Sequence, residues 1–321
     1  MNSRNIVAAI AVTALAATFT ACSDQSPAGN GGETSKEVKS VALMVQDISN
    51  PFFAVMQDSM KAQAEKDGFT LDVQDGQQDI TKQNDQIDAF IQKGVDLIVI
   101  NAVDSEGIKS AVDRALEAGI TVVAVDVDAA DSQAVVMTDN VKAGELSCTA
   151  LAEKIGGKGN VVIVDGTQIT SVQDRVKGCE DVLASKYPDI KIVGKQAGKN
   201  DVANGQTITT DLLTANPDLQ GIFGINDPTA RGAILALTEA NRTDIWVTGV
   251  DGSPEAVEEM KKSGSWFWAT PAQAPAEMVI KAYEVGKEIR TSGNVPTDRV
   301  TYMEPKTVTQ EDVKAGTYTG W

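Results

Sequence analysis

From residue 41 onward, short apolar runs alternate with amphipathic helical patterns, and this alternation limits the chain to few architectures. The runs are continuous and rich in β-branched residues, which is typical of parallel strands that helices cover on both faces. Strands are predicted at 41–45, 70–73, 97–100, 121–125, 134–137, 161–164, 190–193, 221–225, 245–250 and 266–270. Helices are predicted at 53–66, 81–93, 105–118, 142–155, 171–185, 205–215, 229–240, 254–263 and 275–292. This order indicates an α/β fold with right-handed crossovers.

The α/β pattern nearly repeats, since one run of units ends at residue 137 and another begins at residue 161. The pattern is also too long for one sheet of ordinary width. We therefore predict two doubly wound, Rossmann-like lobes with parallel sheets. In such sheets ligands bind beyond the carboxyl ends of the strands, so the residues that follow each strand are candidate site residues.

Carboxylates, amides, one threonine and one arginine follow most of the strand candidates. They are Gln46, Asp47, Asn50, Asn101, Asp104, Asp126, Asp128, Asp165, Thr167, Gln168, Arg175, Asn226, Asp227, Asp251 and Gln273. Such groups are suited to hydrogen bonds with vicinal hydroxyls, and the adjacent rings of Phe52 and Phe53 could stack on the apolar face of a sugar. The alternative for each polar residue is a helix cap or a turn, and for Phe53 a place in the core.

The composition excludes several other functions. The formal net charge of -17 makes nucleic acid an unlikely partner, because an acidic surface repels phosphate backbones. The chain has no histidine, which removes Ser-His-Asp and Cys-His catalysis and the commonest metal ligand. We therefore expect neither a metal nor a cofactor.

Residues 1–21 are predicted to be a secretory signal, because Arg4 precedes an apolar stretch at 6–17 that is too short to span a membrane. The letters FTAC that follow resemble a bacterial lipobox, in which Cys22 receives lipid, although Phe19 replaces the usual aliphatic residue. An ordinary signal peptide cut elsewhere is the alternative. Residues 22–38 contain Gly, Ser, Pro and charges, which predicts a flexible tether. The protein is thus expected outside the cytoplasm, lipid-anchored to the outer face of the cell membrane or periplasmic.

Two further cysteines, Cys148 and Cys179, fall on predicted helices that flank one strand. Export to an oxidising compartment allows a disulfide between them. Two buried free thiols are the alternative, and the sequence does not decide between the two.

The motifs NPFF, VDVD, TDN, DRVKG, GIND, GVDG and ATPAQ occur in this order along the chain. The chain resembles bacterial ABC-transporter substrate-binding proteins of the ribose-binding type, from about residue 41 to about residue 308. The resemblance implies two lobes joined by a three-stranded hinge, closing on a monosaccharide and then docking on a membrane permease. It also implies discontinuous lobes, with 39–138 plus 274–300 in the first and 139–273 plus 301–321 in the second.

The resemblance also implies which residues contact the sugar. By position they are Gln46, Asn50, Phe52, Phe53, Asp126, Arg175, Asn226, Asp251 and Gln273. Two positions depart from the ribose pattern. Val127 stands where ribose binders have an arginine, and no aromatic residue lies near Asn200. These departures argue against ribose itself. Pro228 after GIND and the acidic VDVD resemble subgroups that bind other pentoses, ketohexoses such as fructose, or polyols.

Three alternatives to a monomeric transport receptor remain. A secreted carbohydrate hydrolase could use Asp126 and Asp251 as its carboxylate pair. Against this, carboxylates close to Arg175 are expected to be ionised, which suits hydrogen bonding better than proton donation. A sugar-responsive transcription factor would carry an N-terminal DNA-binding segment, where this chain has a signal sequence. A receptor for a furanose signalling molecule would use the same cleft.

Overall fold

A computed structural model describes residues 37–321. The predicted signal peptide, Cys22 and nearly all of the predicted tether lie outside the described residues. In the described part of the chain, no helix is long and apolar enough to cross a membrane.

The first sheet contains six strands, all parallel. In spatial order they are β11 (Val300–Met303), β5 (Ala134–Thr138), β4 (Thr121–Val125), β3 (Leu97–Ile100), β1 (Ser40–Val45) and β2 (Thr70–Asp75). Its helices are α1 (Pro51–Asp67), α2 (Ile80–Lys93), α3 (Lys109–Glu117) and α9 (Pro275–Ser292). Along β1, Val41 and Leu43 pack in the cluster that includes α1 and α9, whereas Ala42 and Met44 pack in the cluster on the opposite face. Burial on both faces explains why the strand sequence is continuously apolar.

The second sheet also has six strands, and only its edge strand β12 is antiparallel. In spatial order they are β12 (Lys306–Thr309), β10 (Phe267–Ala272), β9 (Trp246–Thr248), β8 (Gly221–Gly224), β6 (Gly159–Asp165) and β7 (Ile190–Ala197). Its helices are α4 (Asn140–Lys154), α5 (Thr170–Lys186), α6 (Val202–Ala215), α7 (Asp227–Glu239), α8 (Pro254–Lys261) and α10 (Gln310–Lys314). The predicted fold of two parallel-sheet α/β lobes is confirmed.

Three segments connect the lobes, namely those from β5 to α4, from β10 to α9 and from β11 to β12. The last of these corrects our division of the chain. We assigned 301–321 to the second lobe, but β11 pairs with β5, so residues 301–303 belong to the first sheet. Strand β11 was not predicted. It is a short strand at the edge of the sheet, with Tyr302 59% exposed, so its sequence is not a continuous apolar run.

The starts of α1 and α3 show how local chemistry moves a helix start away from its predicted position. Helix α1 begins at Pro51, two residues earlier than predicted, because Asn50 caps it and proline is favoured in the first turn. Helix α3 begins at Lys109 rather than at 105. There the carboxylate of Asp104 accepts the backbone N–H groups of Glu106 and Gly107, which forms a turn in place of the first helical turn.

Helices α4 and α5 pack unusually closely. A Cβ atom on Gly144 would lie 2.0 Å from the carbonyl oxygen of Arg175, so only glycine fits at this crossing. The structure also joins Cys148 of α4 to Cys179 of α5 by a disulfide, with 5.1 Å between the Cα atoms. The pair therefore does not consist of two separate thiols. This close contact fixes α5, which carries Arg175, against α4.

Candidate functional site

A cleft of about 610 Å³ lies between the lobes, at the carboxyl ends of strands from both sheets. The structure places all nine predicted contact residues on its wall. They are Gln46, Asn50, Phe52, Phe53, Asp126, Arg175, Asn226, Asp251 and Gln273. Both sheets contribute because parallel strands present their carboxyl ends at one edge, and the two edges face each other.

Arg175 lies at the centre of the polar wall and is only 4% exposed. Its Nε donates to the Asn140 side-chain oxygen at 2.8 Å, and its Nη1 donates to the Ile225 carbonyl at 3.0 Å. The same Nη1 lies 3.6 Å from a carboxylate oxygen of Asp251. Three neighbours thus fix the guanidinium plane, and a fixed plane can present its remaining donors to a ligand at little cost in side-chain entropy.

Asp251 follows β9 and occupies an unusual backbone conformation, with a φ of 140°. One carboxylate oxygen accepts Gln273 Nε2 at 2.8 Å, and the other accepts the Asp227 N–H at 3.3 Å. Gln273 in turn accepts a hydrogen bond of 2.6 Å from the hydroxyl of Thr138, the last residue of β5. Gln273 therefore links a carboxylate of the second lobe directly to the first sheet.

Asp126 lies across the cleft at the end of β4, also with a positive φ, of 67°. Its carboxylate accepts Asn101 Nδ2 at 2.9 Å. Burial raises the pKa of Asp126 to about 6, against the opposing effect of Arg175, and burial likewise raises the pKa of Asp251 to about 6. We expected Arg175 to favour ionisation of these carboxyls strongly. The direction is the reverse, because the cost of desolvation outweighs the attraction to the guanidinium.

The two phenylalanines form the apolar part of the wall. Phe52 and Phe53 are 4% and 6% exposed, and both also belong to the hydrophobic core of the first lobe. Their rings contact edge to face, with centroids 5.5 Å apart. Asn50 caps α1 by accepting the Phe52 N–H at 3.0 Å. The cap and the rings therefore have both a structural and a wall-forming role, because a helix N-terminus opens on the cleft.

Two predicted contact residues, Gln46 and Asn226, already use several of their side-chain donors and acceptors in hydrogen bonds within the protein. Gln46 donates through Nε2 to the carbonyl of Ala102 at 2.8 Å. Asn226 caps α7 by accepting the Thr229 N–H at 2.9 Å, and it donates to the Asn200 carbonyl at 3.0 Å. These contacts set the shape of the wall.

Several other strand-end residues have structural roles. Asp128 forms a two-point ion pair with Arg299, at 2.9 and 2.6 Å, which fixes the loop after β4. Asp165 accepts the N–H of Gly166. Asp104 forms the turn described above. For Asp104 and Asp165 the turn alternative describes these contacts, whereas Asp128 is an ion-pair partner, a role that neither alternative named.

Sequence reasoning missed part of the cleft wall. The missed lining residues include Ile169, Ser171, Lys199, Asp201, Arg231 and Glu255. Asn200 also lies there, in a left-handed conformation with φ 60°, and its side chain bonds Thr167. For Lys199, Asn200 and Asp201 the signal was their place in the loop after β7, since that strand also ends at the cleft. Within residues 37–321, no group of three or more Cys, Asp or Glu side chains is arranged to bind a metal.

Two doubly wound lobes, three connecting segments and one buried polar cleft define the class of two-lobed small-molecule-binding proteins. Comparison with known proteins specifies the family. The family model described as "Periplasmic binding protein domain" matches residues 41–293. The chain belongs to this family.

Individual relatives agree with this assignment. The chain is 32% identical to the ribose import binding protein of Bacillus subtilis over 276 residues, covering 84% of this chain and 88% of that protein. It is 30% identical to a xylitol-binding protein of Mycolicibacterium smegmatis over 319 residues, covering 98% and 88%. A crystal structure of an ABC transporter solute-binding protein from Mycobacterium smegmatis with bound glycerol superposes with a TM-score of 0.81 at 30% identity. It covers 87% of this chain and 96% of that one.

Proposed function

We propose that the protein is the extracytoplasmic solute-binding component of an ABC importer, and that its cleft binds a monosaccharide or a related polyol. The observation that carries this proposal is that Arg175, Asp126 and Asp251 are all buried and all lie on the wall of one cleft. A donor fork together with two acceptors is suited to a ligand with several adjacent hydroxyls, each of which both donates and accepts. The relatives named above, a ribose import binding protein and a xylitol-binding protein, support the same class.

In this mechanism the carboxylates accept hydrogen bonds from hydroxyl groups, and Arg175 donates hydrogen bonds to hydroxyl oxygens. Phe52 and Phe53 pack on the carbon-bound hydrogens of the sugar ring. Contacts between the lobes already close one side of the cleft: the Thr170 hydroxyl accepts the Asp128 N–H at 2.9 Å, and Ser105 Oγ accepts the Thr170 N–H at 3.3 Å. A ligand that touches both lobes favours this closed form by its differential affinity, and the closed form then docks on a permease.

A thermal-shift panel of pentoses, hexoses, ketoses, polyols and inositols, run on the purified protein, tests the proposal. One compound that raises Tm in a concentration-dependent way is expected, because a ligand that binds only the folded state stabilises it. A flat panel on protein that has been unfolded and refolded to remove trapped ligand would contradict it. Turnover of chromogenic glycosides would instead favour the hydrolase alternative.

We also propose that Cys22 carries lipid and that the folded part works as a monomer tethered to a membrane surface. The FTAC motif and the polar stretch after it support this. Intact mass of the mature protein tests the anchor: wild type gains the mass of the lipid and a Cys22→Ser variant does not. Masses of the two processed proteins that differ by no more than the exchange of sulfur for oxygen would exclude lipidation.

Ligand affinity is expected to fall in acid. The pKa values of Asp126 and Asp251 are both raised to about 6, so both carboxyls gain protons as the pH falls through 6 and lose acceptor capacity. We expect affinity to drop by about tenfold or more between pH 7.5 and pH 5, measured by titration calorimetry.

The stability effect of these two groups has the opposite sign. Their folded pKa lies above the unfolded value, so the folded state binds more protons between about pH 4 and 6, and their ionisation opposes folding. Protonation of Asp126 and Asp251 at pH 5 would therefore not destabilise the fold, and it could not lower affinity by that route. Circular dichroism at pH 7.5 and pH 5 tests whether the protein stays folded. Affinity that is the same at both pH values would show that neither carboxylate bonds the ligand in its ionised form.

A further inference from the structure

The segment 317–321 packs on the loop that holds Asp251. The hydroxyl of Tyr318 donates to the carbonyl of Gly252 at 2.7 Å, and Nε1 of Trp321 donates to the carbonyl of Asp251 at 2.8 Å. Gly252 has a φ of +73°, and a Cβ atom there would lie 2.5 Å from the Tyr318 hydroxyl oxygen. Loop and segment are therefore fitted to each other, and the segment belongs to the second lobe.

The indole of Trp321 also reaches the first lobe. Its ring meets Phe52 edge to face, with centroids 5.8 Å apart, and Phe52 meets Phe53 in the same way. Trp321 is half-buried and packs against the first-lobe core. One side chain thus bonds the backbone of a second-lobe carboxylate and packs on a first-lobe ring of the cleft wall.

We infer that Trp321 is a positioning residue for the cleft, coupling Asp251 of the second lobe to Phe52 of the first in the closed form. The inference rests on the proposed function, since it concerns the same ligand. Trp321 is not among the residues that line the cleft, so it acts through Asp251 and Phe52. Its hydrogen bond adds to that of the Gln273 N–H, which also donates to the Asp251 carbonyl, at 2.8 Å. Two donors on one carbonyl fix the unusual backbone from which the carboxylate projects.

The other tryptophans supply a matched control. Trp246, Trp266 and Trp268 pack together, and the ammonium of Lys154 lies 3.4 Å from the centroid of Trp268. Trp268 lines a separate cavity of about 390 Å³ with Lys154, outside the cleft. Among the ring–ring contacts of residues 37–321, Trp321 is the tryptophan whose ring meets a residue of the cleft wall. We therefore expect a ligand-dependent change in intrinsic fluorescence to come from Trp321.

The test compares Trp321→Phe, Trp321→Ala and the control Trp268→Phe with wild type, using the panel compound that gives the largest thermal shift. Trp321→Phe keeps a ring but loses the N–H donor, and it is expected to weaken affinity about threefold in calorimetry. Trp321→Ala loses both contacts, for an expected loss of about tenfold. Trp268→Phe keeps wild-type affinity. The fluorescence change on ligand addition is expected in wild type and Trp268→Phe and absent in Trp321→Phe.

The outcomes separate this inference from the proposed function. A wild-type protein that no panel compound stabilises would contradict the function and this role together. Wild-type affinity in Trp321→Phe and Trp321→Ala, with a thermal shift still present, would overturn this role alone. So would a fluorescence change that survives in Trp321→Phe. If Trp321→Ala fails to fold by circular dichroism, the conservative Trp321→Phe variant still decides by affinity and fluorescence.

Discussion

An Arg175→Met variant is expected to lose at least about a hundredfold in sugar affinity at pH 7.5. Arg175 is the buried cation 3.6 Å from Asp251, and its charge opposes the raised pKa of both Asp126 and Asp251. Without it, two buried carboxylates face each other across the cleft and take up protons, and the ligand loses a donor as well. Removing one partner of a buried charge pair typically costs about 2 to 5 kcal/mol in binding. Calorimetry at pH 7.5 measures the loss.

Lys177→Met is the matched control for this variant. It removes one positive charge from the same helix, two residues away, at a side chain that is 63% exposed and pairs with Asp181. We expect its affinity to equal that of wild type. An Arg175→Lys variant should recover little, because an ammonium cannot bond Asn140 and Ile225 in one plane as the guanidinium does. A folded Arg175→Met protein with near wild-type affinity would show that Arg175 does not contact the ligand.

Reducing the Cys148–Cys179 bond is expected to lower the free energy of unfolding by about 3 to 4 kcal/mol. The cysteines are 31 residues apart, and opening a loop of this length restores chain entropy to the unfolded state. Both cysteines are fully buried, so hydration of the reduced thiols in the folded state does not offset this loss of stability. Urea unfolding of wild type with and without reductant measures the difference.

A Cys148→Ala/Cys179→Ala double variant controls for effects of the reductant elsewhere. Its urea midpoint should be the same with and without reductant, since the chain then contains no cysteine other than Cys22. Sugar affinity should also fall in reduced wild type, because α4 and α5 hold Asn140 and Arg175 together. Equal urea midpoints for oxidised and reduced wild type, with two thiols alkylated before reduction, would contradict the bond.

The strands and helices that form the sheet centres were predictable from sequence, because burial on both faces imposes continuous apolar runs. The edge elements β11, β12 and α10 were not. They are short and partly exposed, so no periodic pattern marks them. Asp104 shows a further limit, since a carboxylate that forms a turn and one that caps a helix look the same in sequence.

The candidate site was predictable to the level of which residues share the cleft, because strand ends converge by topology. Which atoms remain available to a ligand was not predictable. The amide nitrogen of Gln46 faces Ala102, a contact that depends on the packing of neighbouring strands. The pKa direction of Asp126 was missed for a related reason: desolvation depends on depth, which a sequence does not state. Trp321 follows no strand, so strand-end reasoning could not find it.

The interrupted first lobe has a consequence for biosynthesis. Strand β11 pairs with β5, whose partner residues lie about 165 positions earlier, Val300 opposite Val135. Helix α9, which covers β3, β4 and β5, is likewise translated after most of the second lobe. A growing chain therefore cannot complete its first lobe until nearly the whole chain has left the ribosome. Pairing between residues so distant in sequence slows folding. A slowly folding chain stays unfolded for longer, and only an unfolded chain can pass through a translocation channel.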